Sequence, residues 1–471
     1  MTEPATRTSD MTRKSALERA ASHFDDGAFV ANLARLVAVP TESQELRGSP
    51  WLAAYLTEYI RPALEHMGFV CDVLVNPAPA GPLLLAERIE DPDLPTVLVY
   101  GHGDVVRGLE DAWAEGLSPW TLSERDGRLY GRGVADSKGQ HALIIAALGI
   151  VLAVRGRLGF NCKFLIETAE EVGSPGLRQI CESHKERLAA DLLLASDGPR
   201  LAPDRPTIFL GSRGALTFDL LVQLRTTGHH SGNWGGLLAN PAIILAHAIT
   251  ALVARRGEIL VPELKPRQIP PAVQRALAEV VLEPAEGDPT PDPDWGEPGL
   301  SPAEKVFAWS SFEILAGSTG NPDNPVNAVP PRAFARCQIR YTVDTDPAAV
   351  VPAIRRHLDA AGFAEVEVRP AETEIFPATR TDPEHRWVHF AKRSIERTTA
   401  KAPVILPNAG GSLPNDCFAD ILGLPTIWIP HSHRGCQQHA PNEHALPAIL
   451  REGLLIMTGL FWDLGKPESN G

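Results

Sequence analysis

Short apolar runs alternate with stretches of helical period in the first and last parts of the chain, and this alternation limits the available folds more than any other feature. "VCDVLV", "PLLLAER", "TVLVYGHGD", "CKFLIETAEE" and "DLLLASDGP" read as strands. "FVANLARLVAVPTES" and "SPWLAAYLTEYIRPALEHMG" read as helices stopped by Pro40 and Gly68, and "SKGQHALIIAALGIVLAVRG" and "SPGLRQICESHKERLAA" as further helices. Such alternation predicts an α/β sheet covered by helices on both faces. Binding residues in these sheets gather beyond the carboxyl ends of the strands. Here those ends carry His102 and Asp104, Glu170 and Glu171, and Asp197.

The pattern changes near residue 214. "ALTFDLLVQLR" alternates as a half-exposed strand, and "NPAIILAHAITALVARRG" is an amphipathic helix. Residues 258–325 are rich in proline and acidic residues and read as an elaborated loop region. Strands follow around "VNAVP" and "AFARCQIRYTV", then the helix "PAAVVPAIRRHLDAAG" and the strand "AEVEVRP". That order is β-α-β-β-α-β, the ferredoxin-like arrangement. After about residue 382 the first style returns, with "HRWVHFAKRSIERTTA", "PTIWIPHSH" and "LPAILREGLLIMTGLFWDLG". The expectation is one α/β domain with a mixed sheet, built from residues 1–213 and 382–471 and interrupted by an α+β insert over 214–381.

With 471 residues the chain can bury two or three cores, and a net charge of −14 argues against nucleic acid or an anionic membrane as partner. The six cysteines are scattered without a CxxC, as in the reduced thiols of a cytosolic protein. The first dozen residues are expected to be frayed, and the N-terminus has no apolar core of signal-peptide length. No run reaches about 18 uninterrupted apolar residues, so no membrane span is expected and the cytoplasm is the default location.

Gly101 and Gly103 strip side chains from around His102 and let backbone or ligand approach. His102 and Asp104, two apart in extended backbone, point to one side, where a carboxylate can accept the ring N–H and turn the other nitrogen outward. Five residues form a candidate ligand set: His102, Asp136 in "YGRGVADSKG", Glu171 in "ETAEEVGSPG", Asp197 in "SDGP" and His439 in "QHAPNEH". Two imidazoles and three carboxylates without a thiolate suit Zn²⁺, Mn²⁺ or Co²⁺ at a hydrolytic site. Taken singly, Asp136 reads equally as a helix cap and Asp197 as a turn residue. Adjacent Glu170 and Glu171 diverge on extended backbone, which divides the labour between them: Glu171 ligates and Glu170 acts as general base.

"GHGDVV", "YGRGVADSKG", "ETAEEVGSPG", "SDGP", "HHSG", "GGSLP" and "QHAPNEH" together resemble the co-catalytic di-zinc peptidase and deacylase family, in order and with similar spacing from about residue 28 onward. That family includes carnosinase-like dipeptidases, acetylornithine deacetylase and succinyl-diaminopimelate desuccinylase. The resemblance implies a catalytic domain interrupted by a lid that carries a homodimer contact. It also implies two divalent ions per chain, Zn²⁺ first and Mn²⁺ or Co²⁺ as alternatives. Asp136 would bridge them, with His102 and Asp197 on one ion and Glu171 and His439 on the other. Asp104 would orient His102, and Glu170 would deprotonate the water held between the metals. The lid histidine would be His230, whose neighbour His229 shifts the match by one, although "HSG" favours His230. Asn327 and Arg340 would hold the substrate's amide and free carboxylate, and Gly410, Gly411 and Ser412 would line the carboxylate end of the cleft.

The chain departs from the family pattern in three places. Ser137 follows the bridging aspartate where many dipeptidases have an acid, Cys436 lies near His439, and the acidic, proline-rich insert over 258–325 is not part of the recognised family pattern. The implied reaction is hydrolysis of an amide bond next to a free carboxylate, in a dipeptide or, alternatively, an N-acyl amino acid. A non-catalytic protein on the same fold is the rival reading, and the full set of ligands, base and orienting aspartate argues against it. No G-x-S-x-G elbow supports a serine hydrolase.

Overall fold

Val97 and Val99 face one side of their strand and Leu98 and Tyr100 the other, and all four are buried, so this strand has no solvent face. It lies inside an eight-stranded mixed sheet. The structure is a computed structural model and describes residues 12–44, 49–282, 289–371 and 376–466. Nearly all of the expected frayed dozen therefore lies outside the described residues. The sheet runs in the order Val70–Leu74, Leu83–Arg88, Asn161–Glu167, Thr96–His102, Leu192–Ala195, Thr426–Trp428, Thr207–Phe209, Val404–Leu406. Its four central strands, Asn161–Glu167 through Thr426–Trp428, are mutually parallel. Strands from before residue 210 and after residue 403 thus share one sheet.

Helices cover both faces, as the alternation predicts. Val97, Val99 and Phe164 pack with Leu143 and Leu148 of helix Lys138–Arg155 and Leu454 and Phe461 of helix Pro447–Leu464. Leu98, Tyr100, Leu165 and Trp428 form the second core with Leu177 and Ile180 of helix Leu177–Ser183. Helix Lys138–Arg155 is long and apolar enough to cross a membrane by length and composition, but eleven of its eighteen residues are buried in the protein.

A second sheet has four strands in the order Ser311–Thr319, Arg332–Tyr341, Gly214–Gln223, Val366–Pro370, all neighbours antiparallel. Helices Pro241–Leu252 and Pro347–Ala360 share its core with Phe218, Leu220, Cys337 and Ile339. The β-α-β-β-α-β order is therefore present, with one correction. The strand after the first helix is Ser311–Thr319, inside the stretch read as loop, and not "VNAVP". Only Phe312 of that strand is buried, so it has no apolar alternation to reveal it. Ala328 and Val329 of "VNAVP" instead pair with His230 and His229 in a separate two-stranded ribbon.

The span 214–381 also does not behave as one unit. Ile269, Val273, Leu277, Ala303, Phe307 and Trp309 leave the small sheet and join the second core of the large one. Proline and acidic residues dominate the composition of this excursion and conceal the few apolar side chains that anchor it.

Candidate metal centre

The central parallel strands deliver their polar residues to one end of the sheet. His102 is the last residue of its strand, Asp197 follows Leu192–Ala195 by two positions, and Glu170 and Glu171 follow Asn161–Glu167. The two glutamates lie in a single 3-10 turn, Glu170–Val172, and not in the extended backbone expected. Asp136 precedes helix Lys138–Arg155, where the side chain of Ser137, at the cap position, does not cap the helix and donates instead to the His102 carbonyl at 3.4 Å. The Asp136 carboxylate faces the histidines instead of capping the helix.

Two donor groups result, and they share Asp136. His102 Nε2 lies 3.1 Å from Asp136 Oδ1 and 3.3 Å from Asp197 Oδ2. His439 Nε2 lies 2.9 Å from Asp136 Oδ2 and 3.1 Å from Glu171 Oε2. The two oxygens of one carboxylate therefore serve two separate clusters. His439 reaches this position from a left-handed backbone (φ +62°), a strained conformation of the kind that gathers at functional sites.

The donors fit divalent cations. Glu171 Oε1 is buried with no hydrogen-bond partner, an oxygen that an ion would satisfy. Burial pushes Glu171 up to about 7 and Asp197 above its usual range, and the Asp136 charge adds to both shifts. Hydrogen bonds donated by the His439 ring to Asp136 and Glu171 raise His439 to about 10. Burial opposes protonation of His102, yet hydrogen bonds to Asp104, Asp136 and Asp197 carry it well above the ordinary imidazole range. Metal ligands must shed such protons, so cation binding at these groups is coupled to proton release.

Asp104 is fully buried and does more than aim His102. His102 Nδ1 lies 3.1 Å from the Asp104 carbonyl oxygen and 3.4 Å from its carboxylate. The same carboxylate accepts the backbone N–H groups of Glu170 and Glu171 at 3.2 and 3.1 Å. One aspartate thus ties the His102 strand to the glutamate turn. Burial, with the Glu171, Asp197 and Asp136 charges, holds Glu170 well above the usual carboxylate range, against the pull of His102. Beneath this end of the sheet the two glycines make room for protein side chains: a Cβ on Gly101 would meet His141 Cβ at 2.9 Å, and one on Gly103 the Tyr55 ring at 2.5 Å.

Three supporting residues escaped the sequence reading. Glu443 accepts the backbone N–H groups of Gly133, Ala135 and Asp136 and pairs with Arg132 at 2.8 Å, all buried, which fixes the loop that carries Asp136. Gln438 donates to Asp136 Oδ2. Gln140 donates to the Ala135 carbonyl at 2.8 Å and accepts the His431 N–H at 2.8 Å. Glu443 lies four residues after His439 in "QHAPNEH", but its partners are more than three hundred positions away and leave no local signal. Cys436 is buried, burial raises its thiol to about 11, and it belongs to neither donor group.

The remaining predicted residues form two separate sets. Arg340 Nη1 donates to Ser412 Oγ at 2.9 Å, next to Gly411, and Ser412 Oγ donates to the Arg213 carbonyl at 2.9 Å. His230 and Asn327 are exposed neighbours on the ribbon, where Ser231 N donates to the Asn327 carbonyl at 2.8 Å. Among the described residues, neither makes a hydrogen bond to the donor groups.

Two histidine-carboxylate clusters sharing one carboxylate at the carboxyl ends of parallel strands form the layout of a metal-dependent hydrolase. Residues 98–463 match Peptidase family M20/M25/M40. A Beta-Ala-His dipeptidase of Rattus norvegicus is 31% identical over 415 residues, 83% of this chain and 81% of the relative. The Cys-Gly metallodipeptidase DUG1 of Saccharomyces cerevisiae is 25% identical over 439 residues, 88% and 91% of the two chains. In fold, the chain resembles human carnosine dipeptidase 1 with a TM-score of 0.73 at 24% identity, over 96% of this chain and 98% of that one. The chain belongs to Peptidase family M20/M25/M40. It is a metal-dependent hydrolase of peptide bonds, of the dipeptidase type.

Proposed function

We propose that the protein cleaves dipeptides at the amide bond next to the free carboxylate, with His102, Asp197 and Asp136 holding one divalent ion and Glu171, His439 and Asp136 the other. The observation that carries this reading is the division of the Asp136 carboxylate between two clusters. Zn²⁺ suits this nitrogen and oxygen donor set, and Mn²⁺ and Co²⁺ are the alternatives. When bound, the ions polarise the scissile carbonyl and lower the pKa of water.

The chain's own residues do the rest. Among the described residues the Glu170 carboxylate has no protein hydrogen-bond partner, which leaves it available for a proton from the attacking water. It then returns that proton to the leaving nitrogen. Asp104 positions both His102 and the Glu170 turn. Arg340, with Ser412 and Gly411 beside it, suits the substrate's free carboxylate, since a guanidinium binds carboxylates in a fork. His230 and Asn327 belong to the recognition of the amide and its oxyanion, and their separation from the donor groups is what a lid that closes, or a partner subunit, would supply.

The proposal extends to organisation. The large-sheet residues form the catalytic domain, and the four-stranded sheet serves as lid and dimer contact. The exposed Ile314 and Leu315 on its edge strand support a homodimer. The charge and the free thiols are consistent with a cytoplasmic enzyme. Amine release from dipeptides and from N-acyl amino acids, with and without a chelator, tests the reading. Chelator-sensitive cleavage of dipeptides is expected. Cleavage of N-acyl amino acids alone would favour a deacylase, and chelator-insensitive cleavage would overturn the metal assignment.

A further inference from the structure

The excursion that leaves the small sheet also reaches the metal centre. Its last helix, Pro302–Phe307, brings Val306 and Phe307 to the wall of a cavity of about 330 Å³. Leu201, Phe209, Leu406 and Leu413 add to the apolar lining. The same cavity is lined by Asp197, a donor of the first cluster, and by Gly410, Gly411 and Ser412. Ser412 receives the Arg340 guanidinium. One cavity therefore touches both a metal donor and the residues suited to a free carboxylate.

The excursion closes directly on the glycine loop. A Cβ on Gly410 would lie 3.3 Å from Val306 Cγ1 and 3.9 Å from Phe307 Cε1. Three charged residues also line the cavity: Asp197, Arg200 and Arg434. Arg200 is buried and bonded to Glu452 and to the Pro430 carbonyl, and Arg434 is exposed. At this volume, near the lower end of the ~300–1,000 Å³ range of ligand pockets, the cavity has room for one large side chain and not for a long ligand.

We propose that this cavity receives the side chain of the substrate residue bearing the free carboxylate, that it selects a large apolar one, and that Val306 and Phe307 set the size limit. The proposal rests on the dipeptidase reading above and adds its substrate class. The excursion, whose composition reads as loop, thereby becomes a specificity element.

The test compares kcat/KM for Ala-X and X-Ala dipeptides, with X as Gly, Val, Leu, Phe or Glu, in the metal-loaded wild type and in two variants. Val306→Phe narrows the cavity and Val306→Ala widens it. Val306 is only partly buried, which keeps both variants compatible with folding. In the wild type the Ala-Leu to Ala-Gly ratio should exceed ~10, the discrimination an apolar pocket supplies. Val306→Phe should lower that ratio at least ~10-fold, and Val306→Ala should raise Ala-Phe relative to Ala-Val. A purely structural role would not move the ratios in opposite directions.

Thermal stabilisation by free L-leucine against glycine gives a readout independent of turnover, since a ligand that binds the folded state raises Tm. Leucine should stabilise the wild type more than glycine does, and Val306→Phe should remove the difference. Ratios unchanged by either variant, a size preference confined to X-Ala, or a preference for Ala-Glu over Ala-Leu would each overturn the proposal. If no dipeptide is cleaved but the leucine effect and its loss in Val306→Phe persist, the dipeptidase reading fails and the pocket assignment stands.

Discussion

The two sheets hold their functional candidates in opposite ways. At the end of the large sheet, His102 and Asp104 are completely buried, and each has polar partners fixed by strands or turns on several sides. On the small-sheet side, His230 sits exposed on a ribbon of two residues per strand, and the exposed Asn327 immediately precedes the second strand. A metal site needs donors prearranged to a fraction of an ångström, and buried strand ends supply that rigidity. Groups that meet a substrate only when a cleft closes can stay on a mobile surface. On the proposed reading, the contrast separates chemistry from recognition.

The largest expected effect comes from the residue both clusters share. Asp136→Asn should reduce bound metal from two ions to fewer than one per chain by elemental analysis, and lower kcat/KM at least ~10³-fold, as expected for losing several kcal/mol of charge stabilisation. Retention of two ions would break the shared-ligand assignment. Glu170→Gln should keep both metals and lower kcat ~10²–10⁴-fold, the usual contribution of a general base. Activity within tenfold of wild type would remove that role.

His230→Ala should lower kcat while metal content stays at the wild-type level. If the exposed ribbon acts on a partner's site, mixing it with Glu170→Gln should restore part of the activity in verified heterodimers. Absence of recovery would confine His230 to its own subunit.

The comparison extends to stability. Trp428→Ala, at a side chain with no exposure and an Nε1–H bond of 2.7 Å to Asn415, should cost ~3–5 kcal/mol in denaturant unfolding. Leu315→Ala on the small sheet's open edge should stay within ~0.5 kcal/mol for the isolated subunit. A modest effect, between these two, concerns pH. Burial alone would raise Glu90, but the backbone N–H groups of Leu158 and Gly159 and the Arg88 side chain hold it below the usual carboxylate range. A lowered folded-state pKa gives stability that is present above the unfolded value and lost as pH falls through the folded one. Glu90→Gln should therefore destabilise by ~1 kcal/mol near neutrality, with the difference shrinking below about pH 4.

Much of this was legible before the structure. Buried parallel strands read as continuous apolar runs, and a polar residue at the end of such a run stands out against it, as His102 and Asp197 do. Ser311–Thr319 did not stand out, because an exposed edge strand has no buried face to impose a period of two. The anchors of the excursion, such as Val273 and Phe307, were diluted by prolines and acids on either side.

The sequence by itself determined the fold class, the strand ends that carry polar chemistry, and the residue types suited to divalent ions, because local periodicity and donor chemistry are properties of neighbours. Only the tertiary structure decided that Asp136 and His439, 303 positions apart, lie within 2.9 Å of each other. It alone seated Glu443 under the Asp136 loop and turned an acidic, proline-rich stretch into the wall of a cavity. Contacts of that kind follow from how the two cores close on the sheet, and no short segment records them.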